Sequence, residues 1–233
     1  MAAAFVALTG AGLARDHIGF GGDPAASARA SADAAPPLAP RQARGAPQLP
    51  DGVRVVPSDF VASEDVLGGT LPLPTGRLAV DDYFYGDPQV QVAVPAGRDP
   101  VRLTIARSRR YGGTGVALAT LRTGAGTPVR WRRLGVMATD GGLGGFASAE
   151  AAERLADDGD GPLHERQLTV LEASRGDQVA RLPVGRQLAV LCFGPGLGDG
   201  AYGVYAGVDA AGTVVRVVLD GGLLHLGWDA AGR

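Results

Sequence analysis

Two glycine-rich stretches, each carrying one aspartate, hold the residues whose types could do chemistry. They are Thr139-Asp140-Gly141-Gly142-Leu143-Gly144-Gly145-Phe146 and Gly194-Pro195-Gly196-Leu197-Gly198-Asp199-Gly200. Clustered glycine supplies backbone at positive φ or in close approach. If both loops met at one end of a sheet, Asp140 and Asp199 would form a carboxylate pair framed by Gly142, Gly144, Gly200 and Tyr202. Such a pair serves acid–base work or a cation. The structural alternative is that both aspartates cap turns. A nucleotide site needs a strand, a G-x-G-x-x-G turn and a helix in succession, and neither stretch leads into a crossover helix.

A second kind of chemistry is recognition. Arg107-Ser108-Arg109-Arg110-Tyr111 and Arg130-Trp131-Arg132-Arg133 interleave guanidinium groups with aromatic rings. That mixture suits an acidic protein surface or single-stranded nucleic acid. A net charge of −2 supplies no global field toward nucleic acid, which leaves an acidic protein surface as the expected partner, against the alternative of a solvated strand face. Tyr83-Phe84-Tyr85 adds a loop of aromatics of the kind enriched in recognition surfaces.

Several chemistries are excluded. All 22 basic residues are arginine, with neither lysine nor asparagine anywhere, so a lysine Schiff base, a P-loop lysine and an N-glycosylation acceptor are ruled out. G-x-S-x-G, H-E-x-x-H and C-x-x-C are missing. The histidines, His17, His164 and His225, lack partners in sequence and read as structural or solvated. Cys192 lies inside an apolar run and reads as a small buried hydrophobe. Asp209-Ala210-Ala211-Gly212 has hairpin chemistry but lacks the further oxygen ligands of a calcium loop. No metal and no cofactor is expected, and the balance leans away from an enzyme.

The elements that must position these residues are mostly strands. Residues 1–20 open with a short apolar leader, MAAAFVALTGAGLA, too short to span a bilayer; it reads as a signal or anchor remnant without a basic n-region. Residues 21–50 are rich in Ala, Pro, Ser and Gly without aliphatic periodicity, and read as a disordered linker. That layout suggests export or the cell envelope, the alternative being the cytoplasm, with membrane contact only through an uncleaved leader. Residues 51–233 read as one β-rich domain. Gln89–Val94 alternates with period two, Val101–Ala106 puts Val101, Leu103 and Ile105 on one face, and Pro95-Ala96-Gly97 between them predicts a hairpin. Gly115–Arg122 and Pro128–Val136 predict another around Gly124-Ala125-Gly126. Ser148 caps a short helix through Ala156, and Pro162 with Gly176 frames a second. Leu188–Phe193, Tyr202–Val208 and Thr213–Leu219 return to strand, the last two joined by the Asp209–Gly212 turn. The fold class is mainly β with a small α part: an antiparallel sandwich or barrel-like sheet with two short helices in the middle.

Four segments carry a family resemblance. They are Leu73-Pro74-Thr75-Gly76-Arg77 running to Asp81-Asp82, Pro95-Ala96-Gly97-Arg98-Asp99-Pro100-Val101, the central Asp140–Phe146 loop, and Gly198-Asp199-Gly200-Ala201-Tyr202 continuing to Gly212 and Val217–Asp220. In collinear order over roughly residues 71–222, they resemble the bacterial family catalogued as domain of unknown function 4241. The resemblance implies a β-rich fold and no established activity. In the central loop the family's Thr, Cys and last Asp positions fall here on Leu143, Gly145 and Ser148, leaving Asp140 as the main polar group. The expected function is a non-catalytic binding module engaging a protein or surface ligand; the alternative is an enzyme or cation site on Asp140 and Asp199.

Overall fold

The computed structural model describes residues 44–82, 88–110, 112–173, 179–185 and 188–228. The leader, most of the linker, His17, Tyr83–Tyr85 and Tyr111 lie outside the described residues. Within them the chain is an antiparallel β-sandwich with two helices on one outer face.

The larger sheet takes β1 (Arg44–Gly45), β3 (Phe60–Leu73), β6 (Gly97–Ser108), β7 (Thr114–Arg122), β13 (Val214–Asp220), β12 (Gly200–Val208) and β8 (Arg130–Thr139), in that spatial order. The smaller sheet runs β10 (Ala180–Pro183), β11 (Ala189–Phe193), β9 (Gly144–Ser148), β4 (Arg77–Asp81) and β5 (Val90–Ala93). A two-stranded piece, β2 (Arg54–Val56) with β14 (His225–Gly227), completes the strands.

Period-two alternation decides which side chains enter the core. Val101, Leu103 and Ile105 of β6, Val217 and Leu219 of β13 and Val204 and Ala206 of β12 face Leu78 and Val80 of β4, Phe146 of β9 and Leu191 and Phe193 of β11. Phe146 and Phe193 meet edge to face, centroids 5.5 Å apart. β11 is buried along its whole length because its other face, with Val190 and Cys192, packs under the helices; this is why Leu188–Phe193 is nearly continuously apolar.

Helix α1 (Ala149–Asp158) starts where expected. Ser148 is extended, and its Oγ accepts from Ala151 N at 3.2 Å, while Glu150 sits in the first turn. Ala149, Ala151, Ala152 and Leu155 are its buried residues, and the small alanines let it lie close to the smaller sheet. Helix α2 (Pro162–Ala173) follows, its first turn capped by Asp158 Oδ2, which accepts from Leu163 N at 2.7 Å.

Three expectations need correction. The body begins before Asp51: Arg44 and Gly45 pair with Val66 and Asp65 of β3, and Gln48 N donates to Asp65 Oδ2 at 2.9 Å, so residues 44–50 are ordered rather than part of a tether. Composition hid this because the ordering comes from partners on a distant strand. β5 and β6 do not form a hairpin; the Pro95–Gly97 turn carries the chain from one sheet to the other, so their apolar rows face each other across the core instead of sharing a sheet. β7 and β8 share a sheet but are separated in it by the β12–β13 hairpin. That hairpin does form as read: Asp209 Oδ1 accepts from Ala211 N and Thr213 N, both at 2.9 Å.

At the other edge Gln89 closes a gap between the sheets. Its amide donates to Ala138 O at 2.8 Å and accepts from Ala138 N at 2.7 Å, tying the edge strand β8 to the start of β5. Because Phe146 is fully buried between the sheets, Phe146→Ala should cost ~3–5 kcal/mol in urea unfolding. A cost below ~1 kcal/mol would mean that the inter-sheet core is not packed as described.

Candidate functional site

The outward face of the larger sheet carries arginines on otherwise apolar strands. Arg216 of β13 and Arg122 of β7 are direct cross-strand partners. Two residues along, Thr120 of β7 pairs with Arg102 of β6 on one side and Val218 of β13 on the other. On the far side of Arg216, Gly207 of β12 is the partner of both Arg216 and Trp131. With no side chain at Gly207, the Trp131 ring lies over it: a Cβ there would meet the ring at 2.9 Å. Trp131 in turn meets Trp228 edge to face at 5.1 Å, and Trp228 stacks on Tyr205 at 4.1 Å. These rings form a firm wall.

Residues 46–51 run across this face as a strap. One end is held by Asp65 of β3 through Gln48 N, and the other by Trp131 of β8, whose Nε1 donates to Asp51 O at 2.9 Å. Between strap and sheet lies a cleft of about 390 Å³. Arg102, Arg122, Arg216, Thr120, Pro100, Val218 and Trp131 form its floor and one wall, and Gln48, Leu49, Pro50 and Asp51 the other.

The cleft is positively charged at its floor. Arg216 Nη1 donates to Gly124 O at 2.8 Å and Val215 O at 2.6 Å, and Arg122 Nε donates to Gly124 O at 3.2 Å, which fixes both guanidinium groups without neutralising them. Burial, then the charge of Arg122, pulls the Arg216 pKa down, with Asp51 opposing. Arg102 lies 3.7 Å from Asp65 Oδ2. Burial raises the Asp65 pKa, although Thr104 Oγ1 donates to it at 2.6 Å. Like charges directly opposite each other on neighbouring strands are destabilising. Such a pair is suited to receive an anion, and arginine forks match carboxylate and phosphate geometry.

Of the sequence-derived recognition residues, the structure brings Trp131 into this cleft and disperses the rest. Arg133 shares the outward face of Trp131, opposite Tyr205. Arg130 and Arg132 pair with Val208 and Ala206, whose side chains enter the core, so these two arginines project from the other face. Arg109 and Arg110 follow the far end of β6, ~23 Å of strand from Arg102 at ~3.3 Å per residue. The two basic segments therefore do not make one patch. Arg102, Arg122 and Arg216 were not singled out from sequence. Their signal was available: VRLTIA and VVRVVL each place one arginine inside an apolar strand, and LATLR ends one on an arginine.

The two glycine-rich loops do meet. Thr139 pairs with Gly200, and a Cβ on Gly142 would lie 3.4 Å from Asp199 Oδ1. Asp140 and Asp199 are both exposed there, and Asp140 N donates to Asp82 Oδ2 at 3.2 Å. Gly144 is buried at the start of β9. Among the described residues no group of three or more His, Cys, Asp or Glu side chains converges as a metal site would require. Tyr202 is buried, donates to Gly198 O, and has its phenol pKa raised by burial, so it serves to brace the second loop. Burial pushes the Cys192 thiol up to about 12, which removes the thiolate that nucleophilic chemistry requires. His225 is exposed on β14 and His164 half-buried on α2.

Asp81, beside these loops, is 1% exposed, and its Oδ2 has no hydrogen-bond partner among the described residues. Burial, reinforced by the charge of Asp82, raises its pKa from 3.8 to about 7 against the lowering effect of Gln89 N. The folded chain thus holds this proton more tightly than the unfolded one. The resulting stabilisation is full below about pH 3.8 and is lost as pH rises through about 7. Unfolding free energy should therefore fall between about pH 4 and pH 7, and Asp81→Asn should flatten that fall; an unchanged slope in the variant would contradict the assignment.

No protein-family model, curated protein or solved structure matches this chain.

Proposed function

We propose that the chain is a non-catalytic binding module that holds an anionic ligand, through a carboxylate or phosphate group, in the cleft between the strap and the outer sheet face. One observation carries this reading: Arg122 and Arg216 are directly opposite each other, with Arg102 beside them, in a walled cleft. Three guanidinium groups gathered on one face offer more positive charge than Asp51 and Asp65 offset. The reading keeps the recognition chemistry expected from arginine and aromatic residues and moves it from Arg130–Arg133 to the cleft. An envelope-exposed setting rests on the composition of the leader and linker.

The competing reading, an enzyme or cation site on Asp140 and Asp199, is favoured by the meeting of their loops. It offers two exposed carboxylates, fewer oxygens than the six to eight a calcium ion takes.

Inorganic phosphate should raise the melting temperature relative to chloride at matched ionic strength. At ~100 times its dissociation constant, binding adds ~2.7 kcal/mol of stability. Arg122→Gln with Arg216→Gln should lose this protection, and Arg130→Gln with Arg132→Gln and Arg133→Gln should keep it. The opposite pattern would place the anion site on the β8 segment and overturn the cleft reading. Without ligand, Arg122→Gln alone should raise stability by ~0.2–1 kcal/mol by removing the like-charge pair, as measured in urea.

A further inference from the structure

The cleft has features that a bare anion does not need. Its volume of about 390 Å³ falls within the range of small-molecule sites and is far larger than a phosphate ion requires. Its charged floor is flanked by Trp131, Pro100 and Val218 on the sheet side and by Leu49 and Pro50 on the strap. Leu49 is 37% exposed, a large apolar side chain held at the cleft with its surface unspent. The strap is anchored at both ends, by Asp65 and by Trp131, so it bounds the cleft instead of leaving an open groove along which a polypeptide could lie. Thr120, half-buried between Arg102 and Val218, adds a hydroxyl at the floor.

We propose, resting on the anion-binding reading above, that the ligand is a small organic anion: one carboxylate or phosphate group seated on Arg122 and Arg216, attached to an apolar body of about one or two rings that packs between Trp131 and Leu49. The acidic group fixes orientation through charge-assisted hydrogen bonds, and the apolar body supplies affinity by leaving water. A fully charged acidic peptide satisfies the floor but leaves the apolar walls facing charge. A bare phosphate satisfies the floor and leaves the walls wet.

The test uses matched probes on the full chain. Trp131 lines the cleft and touches Trp228, the only other tryptophan, so intrinsic fluorescence reports occupancy, with calorimetry as a second readout. Phenyl phosphate should bind at least about tenfold more tightly than inorganic phosphate, and benzoate more tightly than acetate by a similar factor, as burial of a ring predicts. Leu49→Ser should weaken phenyl phosphate severalfold more than it weakens inorganic phosphate. Equal affinity for phenyl and inorganic phosphate would overturn the organic-anion proposal while leaving an anion site in place. Tighter binding of a decaglutamate peptide than of phenyl phosphate would overturn it in favour of an acidic protein segment. If no probe binds in a manner sensitive to Arg122→Gln with Arg216→Gln, this proposal and the anion reading both fall.

Discussion

Among the described residues the chain passes between the two sheets four times, and at those passages backbone must lie against backbone. This constraint organises the molecule. The turns after β3 and after β5 pass together at one end, where Val94 N donates to Gly76 O at 2.8 Å. The loops after β8 and after β11 pass together at the other, and there Gly142 illustrates the requirement: a Cβ on it would lie 3.4 Å from Gly198 Cα. The glycine-rich loops are therefore explained first by the architecture of a sandwich whose strands change sheets, before any chemistry is invoked. Tyr202, braced against Gly198, belongs to the same structural role.

Since these passages fix which strands are neighbours, they also fix what reaches the outer face. Inserting the β12–β13 hairpin between β7 and β8 sets Arg216 against Arg122 and leaves Gly207 as the gap that Trp131 covers. The charged cleft is thus a product of strand order more than of any one segment. The strap depends on it in turn, because its two anchors, Asp65 and Trp131, stand on strands near opposite edges of that sheet.

This dependence explains what was legible in the sequence. Strand positions were legible because alternation in Val101–Ala106 or Thr213–Leu219 reports burial on one face, a local property. The caps of α1 and the Asp209–Gly212 turn were legible because Ser148 and Asp209 satisfy backbone groups within a few residues. Pairing partners were not, because a Pro-Ala-Gly turn serves a hairpin and a sheet-to-sheet corner equally well. The ordering of residues 44–50 was hidden for the same reason, since Asp65 is distant along the chain. The candidate site was half visible: Trp131 stood out among clustered arginines, while the arginines that accompany it in space sit alone in three separate strands.

The central claim is that Arg122 and Arg216 together receive an anion. Diffraction from crystals grown with selenate, collected at the selenium edge, tests it most directly. The account predicts an anomalous selenium peak ~4 Å from both guanidinium groups, which places selenate oxygens at the ~3 Å hydrogen-bonding distance. Peaks confined to Arg130, Arg132, Arg109 or Arg110, with none in the cleft, would contradict it.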